Sequence, residues 1–305
     1  MTEKDYKKKL KDKLIEYRYT LNLPDIITFG VEIEYENIIN DSVSYFLNYE
    51  RDFDSNFIDW INEIDLDVSE YNKDSELMNG EIISPILTDN INTWKNLKIA
   101  LEILKNNNAV ITSQCGGHVN IGAHVLEHNT NYFRNLFLIW ILYEKEIYSF
   151  SSGEYSIVRK REDKILERIA PVLNKKLDSI IKTDCDLFDY LNDLSAFSQL
   201  YDLYLFNVKS SNFYENNRIE IRIPNGTLNE EIWQNNINFF ANLLLTCKKD
   251  LDVDKLIYKI KRNQHSPVEL ADLVFKDQLD KDNFLIQTLK TNKVYKKELP
   301  KHIIY

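Results

Sequence analysis

The sequence predicts an α+β protein with a mainly antiparallel sheet whose apolar side is covered by helices. Three observations carry that expectation. Four short stretches alternate apolar and polar residues at the period of a β-strand, longer stretches between them repeat apolar residues at helical spacing, and six of the seven glycines lie in or beside the alternating stretches. The 305 residues suffice for one large domain or two modest ones, and 44% hydrophobic with 12% aromatic residues supply a core.

Residues 4–23 carry Tyr6, Leu10, Leu14, Tyr17 and Leu21 at helical spacing, closed by Pro24, and read as an amphipathic helix. FGVEIEY, from Phe29 to Tyr35, alternates strictly and reads as the first strand, with Glu32 and Glu34 on one face. Residues 52–64 read as a second helix through Phe53, Phe57, Trp60 and Ile64, followed by an acidic, polar loop over 65–79. GEIISPIL (80–87) reads as the second strand, and 89–108 as a helix bearing Ile91, Trp94, Leu97, Leu101 and Leu104. GGHVNIGAHV (116–125) is the third alternating stretch, and a long helix follows over 131–150. Its apolar run, 136–142, is too short to cross a bilayer. Residues 159–205 read as largely helical. RIEIRIP (218–224) is the fourth strand, Asn225-Gly226 makes a turn, and Asn229 caps a helix that buries Trp233, Ile237, Phe240 and Leu244. The remainder, from about residue 250, reads as a helical extension. With no repeat and no low-complexity linker, the organisation is one compact unit: an N-terminal helix (1–25), a central region bearing the alternating stretches (26–250) and a C-terminal extension (251–305).

A net charge of −10 and a pI near 5.2 disfavour nucleic acid as a partner, which requires a basic face. The first residues, MTEKDYKKKLKDKL, lack the apolar core of a signal peptide or membrane anchor, so a cytoplasmic protein without a membrane partner is expected. Cys115, Cys185 and Cys247 are odd in number and widely spaced, which suits reduced, packed thiols.

The four strands share one kind of polar face. The first offers Glu32 and Glu34, the second Glu81, the third His118, Asn120 and His124, and the fourth Arg218, Glu220 and Arg222. In an antiparallel sheet covered on its apolar side, these rows converge on one surface. Carboxylates two apart on a strand are about 6.6 Å from each other, and several together repel unless cations stand between them. Oxygen ligands with one imidazole suit Mg²⁺ or Mn²⁺, and arginines suit phosphate oxygens, so ATP with a divalent metal meets both requirements. The plainer alternative is a solvated sheet face. The glycine clustering argues against it, because glycine within a strand marks close approach of a ligand or of other backbone. No P-loop, dinucleotide fingerprint or nucleophile elbow is present, so Ser84 and His118 do not form a hydrolase pair. His124 reads as structural, His265 and His302 as surface residues, and His128 has no evident role.

The ordered set FGVEIEYE, GEIISPIL, CGGHVNIG and RIEIRIPNGTLN resembles the amidoligase family, carboxylate-amine ligases related to glutamine synthetase and glutamate-cysteine ligase, over about residues 29–245. The resemblance implies a glutamine synthetase-like catalytic domain with a curved antiparallel sheet. It also implies ATP and two or more Mg²⁺ or Mn²⁺ ions, and an acyl phosphate attacked by an amine. Carried over by position, Glu32, Glu34, Glu81, His118 and Glu220 look like metal ligands, with Glu81 and Glu220 also in catalytic places. Arg222 looks like the arginine at the transferring phosphoryl group, Arg218 is a further cofactor contact, and Gly116 and Gly117 let backbone approach the ligand. Asn120, Lys209 and Arg161, with Arg159, fall where substrate-binding groups stand. Asn120 replaces a histidine common in G-x-H-x-H. The implied substrates are a carboxylate and an amine belonging to small molecules, peptides or proteins. Two alternatives stay open: a phosphotransferase on the same sheet with no amine step, and a non-catalytic binding protein whose site is vestigial, with Asn120 as its symptom.

Overall fold

The computed structural model describes residues 3–39, 42–65, 77–127, 129–154, 160–161, 164–165, 206–209 and 218–294. Its elements in chain order are α1 (Glu3–Lys9), β1 (Phe29–Ile39), α2 (Ser42–Phe53), β2 (Ile61–Ile64), β3 (Leu77–Ile83), α3 (Ile91–Asn106), β4 (Gly117–Gly122) and a 3₁₀ turn (Ala123–Leu126). Then follow α4 (Thr130–Ser151), the two-residue strands β5 (Lys160–Arg161) and β6 (Lys164–Ile165), β7 (Phe206–Lys209), β8 (Arg218–Ile221), α5 (Glu230–Cys247), α6 (Val253–Arg262), α7 (Pro267–Val274) and α8 (Gln278–Val294). No described helix is long and apolar enough to cross a membrane.

A six-stranded sheet in the order β2-β3-β1-β4-β8-β7 pairs antiparallel throughout. The alternation read from the sequence sets its two faces. Phe29, Val31 and Ile33 of β1, Ile82 of β3, Val119 and Ile121 of β4, and Ile219 and Ile221 of β8 are all buried. Helices α3 and α5 cover this side. Trp94 of α3 stacks on Phe29 with ring centroids 5.6 Å apart, and α5 packs against β4, α3 and α4. Asn229 caps α5 as expected, its side chain accepting from the Glu231 and Ile232 N–H groups.

Two expected helices are corrected. The N-terminal helix ends at Lys9 rather than near residue 23. Beyond it the chain is a non-helical strap that buries Leu10, Ile15, Leu21, Leu23 and Ile27 while leaving Leu14 61% exposed, so the apolar residues do not share a helical face. The strap is held by side chains in place of a helical ladder. Arg18 N–H donates to Gln234 Oε1, and Gln234 Nε2 returns a bond to Arg18 O; Glu16 and Asn283 make the same reciprocal pair; Leu21 and Leu23 N–H groups donate to Asp89. The expected helix over 52–64 is instead the end of α2, an irregular stretch that buries Phe57 and Trp60, and β2. Of the stretch expected to be helical over 159–205, the described part is the β5–β6 hairpin. The loop expected over 65–79 gives way to β3 at Leu77.

The helical extension expected at the C-terminus is present as α6, α7 and α8. It meets the rest through a buried amide network in which Asn235 Nδ2 donates to Gln287 Oε1 and to Asn283 O, while Gln287 Nε2 donates to Asn236 Oδ1 and Phe150 O. Near it, Asp280 takes bonds from Arg18 and Asn238, and Asp282 from Lys9 and Lys13.

Candidate active site

The opposite face of the sheet gathers the polar residues of four strands. Register places Glu32 across from His118, Glu34 across from Glu81, and Asn120 across from Glu220. Six positions spread over nearly 190 residues of chain thereby become neighbours. His118 is at the centre. Its Nδ1 is 2.9 Å from Glu32 Oε2 and 3.8 Å from Glu220 Oε1, and its Nε2 is 3.1 Å from Glu34 Oε1. Glu34 Oε2 also accepts the Gly116 N–H at 2.5 Å, so Gly116 brings backbone into the site as a donor. Arg222 Nη1 donates to Glu220 Oε1 at 2.8 Å, and Arg218 Nη2 is 4.0 Å from Glu32 Oε1. Asn120 Nδ2 donates to that same Glu32 oxygen at 2.9 Å.

Glu220 is wholly buried and Glu34 only 2% exposed, while Glu32 and Glu81 are half-buried. Such crowding is costly, and Glu81 registers it: burial, then the charges of Glu32, Glu34, Asp65 and Glu63, push its carboxyl up to about 8. Two groups of donor atoms are close enough to share a cation. Glu32, Glu81 and His118 form one, and Glu34, Asp65 and Glu81 the other, the atoms of each lying within 4.8 Å of one another. Glu81 belongs to both. Carboxylate oxygens with a single imidazole are the donor set of Mg²⁺ or Mn²⁺ rather than of a thiophilic metal, so the residues present fit such ions. Asp65 was not legible as a ligand: it sits just past β2, whose four residues INEI are too few to show the alternation that would have placed it beside the other acids. Glu220 stands beside the first group through His118 and is engaged with Arg222.

The remaining expected residues divide. Lys209 pairs with Arg218 in the backbone register of β7 and β8, and Arg161 is in the β5–β6 hairpin. Arg159, His128, His302 and Cys185 lie outside the described residues. Gly117 is on the apolar side, where a Cβ would come within 2.8 Å of Asn225 O and 3.1 Å of the Trp233 ring, so what its missing side chain accommodates is helix packing. Gly80 is the same case, blocked by Glu63 O at 2.5 Å. His124 is structural, its Nε2 2.8 Å from Ile26 O. His265 is not a plain surface residue: its Nδ1 is 2.6 Å from the buried Glu146 of α4. Cys115 and Cys247 are free and buried, as expected.

Among curated proteins, none matches the chain. A family model does, over residues 25–244, and that span holds every strand of the large sheet together with its charged face. The family is described as "Putative amidoligase enzyme", and with well over half of the sequence matched, this chain belongs to it.

Proposed function

We propose that the protein is an ATP- and Mg²⁺- or Mn²⁺-dependent ligase that joins a carboxylate to an amine on a glutamine synthetase-like sheet. The observation that carries this reading is the convergence of Glu32, Glu34, Glu81, His118, Glu220 and Arg222 on one buried polar face, in a chain of the amidoligase family. When bound, ATP with its metal supplies the phosphoryl group that activates a substrate carboxylate as an acyl phosphate for the amine to attack.

The chain's own residues divide the work. Glu32, Glu81 and His118 would hold one cation, and Glu34, Asp65 and Glu81 a second, the cations offsetting the mutual repulsion of the clustered carboxylates. Arg222, 11% exposed in its side chain, is fixed by Glu220, which would keep a planar, permanently charged guanidinium at this face to meet the transferring phosphoryl group. Gly116 holds Glu34 in place through its N–H. Arg218 flanks Glu32 at the edge of the same face as a further phosphate contact. Buried thiols and an acidic surface agree with a cytoplasmic enzyme acting on small molecules, peptides or proteins rather than nucleic acid.

Incubation with ATP, Mg²⁺, pooled carboxylates and pooled amines, followed by mass spectrometry, tests the reading. The expected result is ADP together with a product weighing carboxylate plus amine less water. Phosphate transfer that continues at full rate without amine indicates a phosphotransferase instead, and absence of nucleotide and metal binding by calorimetry indicates a non-catalytic protein.

A further inference from the structure

Asn120 is only 9% exposed, and its two amide atoms are treated differently by the fold. The nitrogen donates to Glu32 Oε1, an orientation that chemistry fixes because a carboxylate oxygen accepts and does not donate. That bond turns the carbonyl oxygen elsewhere, and among the described residues Oδ1 has no hydrogen-bond partner. A buried carbonyl without a donor is expensive and rare, so its persistence calls for a ligand that completes it. Directly across the strand pair is Gly30. A Cβ there would meet Ser84 Oγ at 3.4 Å, Pro85 O at 3.8 Å and Asn120 Cβ at 3.9 Å, all ordinary contacts. Unlike Gly80 or Gly117, then, Gly30 is not demanded by neighbouring protein atoms, and what it leaves uncovered is the polar face beside Asn120.

We infer that Asn120 Oδ1 is the acceptor that seats the N–H of the attacking amine, next to the Glu32 carboxylate and over Gly30. This rests on the ligase reading and assigns the amine a place in it. An anchored carbonyl and a carboxylate together match a primary amine arriving as its ammonium ion, which brings several N–H donors and a positive charge. The asparagine at this position is accordingly a working substrate contact and not a sign of decay.

The test uses the full ¹⁵N-labelled chain, with the Asn120 side-chain amide signal assigned by its loss in Asn120→Ser. Methylammonium chloride should shift that signal saturably, whereas tetramethylammonium, equally charged but without an N–H, should not. Gly30→Ala has room against the protein but occupies the amine's place, so it should raise the half-saturating methylammonium concentration by about tenfold, the worth of one hydrogen bond. No response to methylammonium, or an equal response to tetramethylammonium, overturns the assignment. So does a fall in Mg²⁺ affinity in Asn120→Ser without any methylammonium response, which would make Oδ1 a metal ligand. None of these readouts needs turnover. A saturable methylammonium shift in a protein that never ligates sinks the ligase reading alone, and ligation with an unchanged KM for amine in Asn120→Ser sinks the amine seat alone.

Discussion

Two regions of this molecule bury polar side chains, and they do so on opposite terms. Between α5 and α8, Asn235, Asn236 and Gln287 exchange hydrogen bonds as neutral amides, each group carrying both donors and acceptors. On the sheet, Glu32, Glu34, Glu81 and Glu220 are packed around one histidine, and carboxylates carry acceptors and charge but no donors. The amide network carries no net charge and pairs most of its own donors and acceptors, with Asn235 Oδ1 left over among the described residues. The carboxylate cluster draws on Gly116, Asn120, His118 and Arg222 and still leaves Glu81 shifted far from its usual range. Stability explains the first arrangement, whereas the second works against stability and is what the proposed binding of cations would offset.

The contrast predicts a hierarchy of effects. Arg222→Ala should lower kcat by about 10²-fold or more with a smaller change in ATP affinity, and Arg222→Lys, which keeps charge but loses the planar fork, should also be impaired. Near-normal kcat in a folded Arg222→Ala protein would remove the catalytic assignment. In the amide network the order reverses. Gln287→Leu removes the donor to Asn236 Oδ1 and Phe150 O and an acceptor of Asn235 Nδ2, and should destabilise the fold by about 3 kcal/mol in denaturant unfolding while sparing kcat in the folded fraction.

Glu81 yields a pH test with a definite sign. Its folded carboxyl holds a proton up to about pH 8, while the unfolded chain releases it in the ordinary carboxylate range. Stability of the metal-free protein should therefore be greatest at low pH in this respect and fall as pH rises toward 8. Glu81→Gln should flatten that slope and raise the melting temperature at pH 8 by a few degrees, and Mg²⁺ should stabilise the native chain there but scarcely the variant. A metal-free melting profile with the same slope in both proteins would refute this origin. The smallest effect belongs to Asp282. Burial raises its carboxyl, but bonds from Lys9, Lys13 and Gln278 outweigh this, so the net shift is downward. Its contribution is present at neutral pH and lost as pH falls through the folded value. Because Lys13 is 53% exposed, Asp282→Ala should cost under about 1 kcal/mol and less in high salt, seen as faster proteolysis near Leu14.

The sheet was legible because one face of each strand is apolar and the other charged, so alternation fixed which residues face the site. Distances were not legible, since the register that sets Glu32 against His118 depends on pairings between strands far apart in sequence. Asp65 went unseen because it follows an edge strand whose exposed Ile61 and Ile64 break the expected pattern. The strap misled for a related reason: Tyr6, Leu10, Leu14, Tyr17 and Leu21 keep helical spacing, yet Leu14 is exposed and Ile15, outside that pattern, is buried. The glycines misled in part, since Gly80 and Gly117 answer to protein neighbours while Gly30 does not.

The strap also has a timetable. Lys9 and Asp282 are 273 residues apart, and Glu16 and Asn283 are 267 apart, so this segment is synthesised long before the helix that holds it. During synthesis the strap must wait beside a growing sheet with Leu10, Ile15 and Leu21 unburied, and its docking comes after α8 is made. Long-range closure of this kind is slow to form and open to misassembly until it is complete.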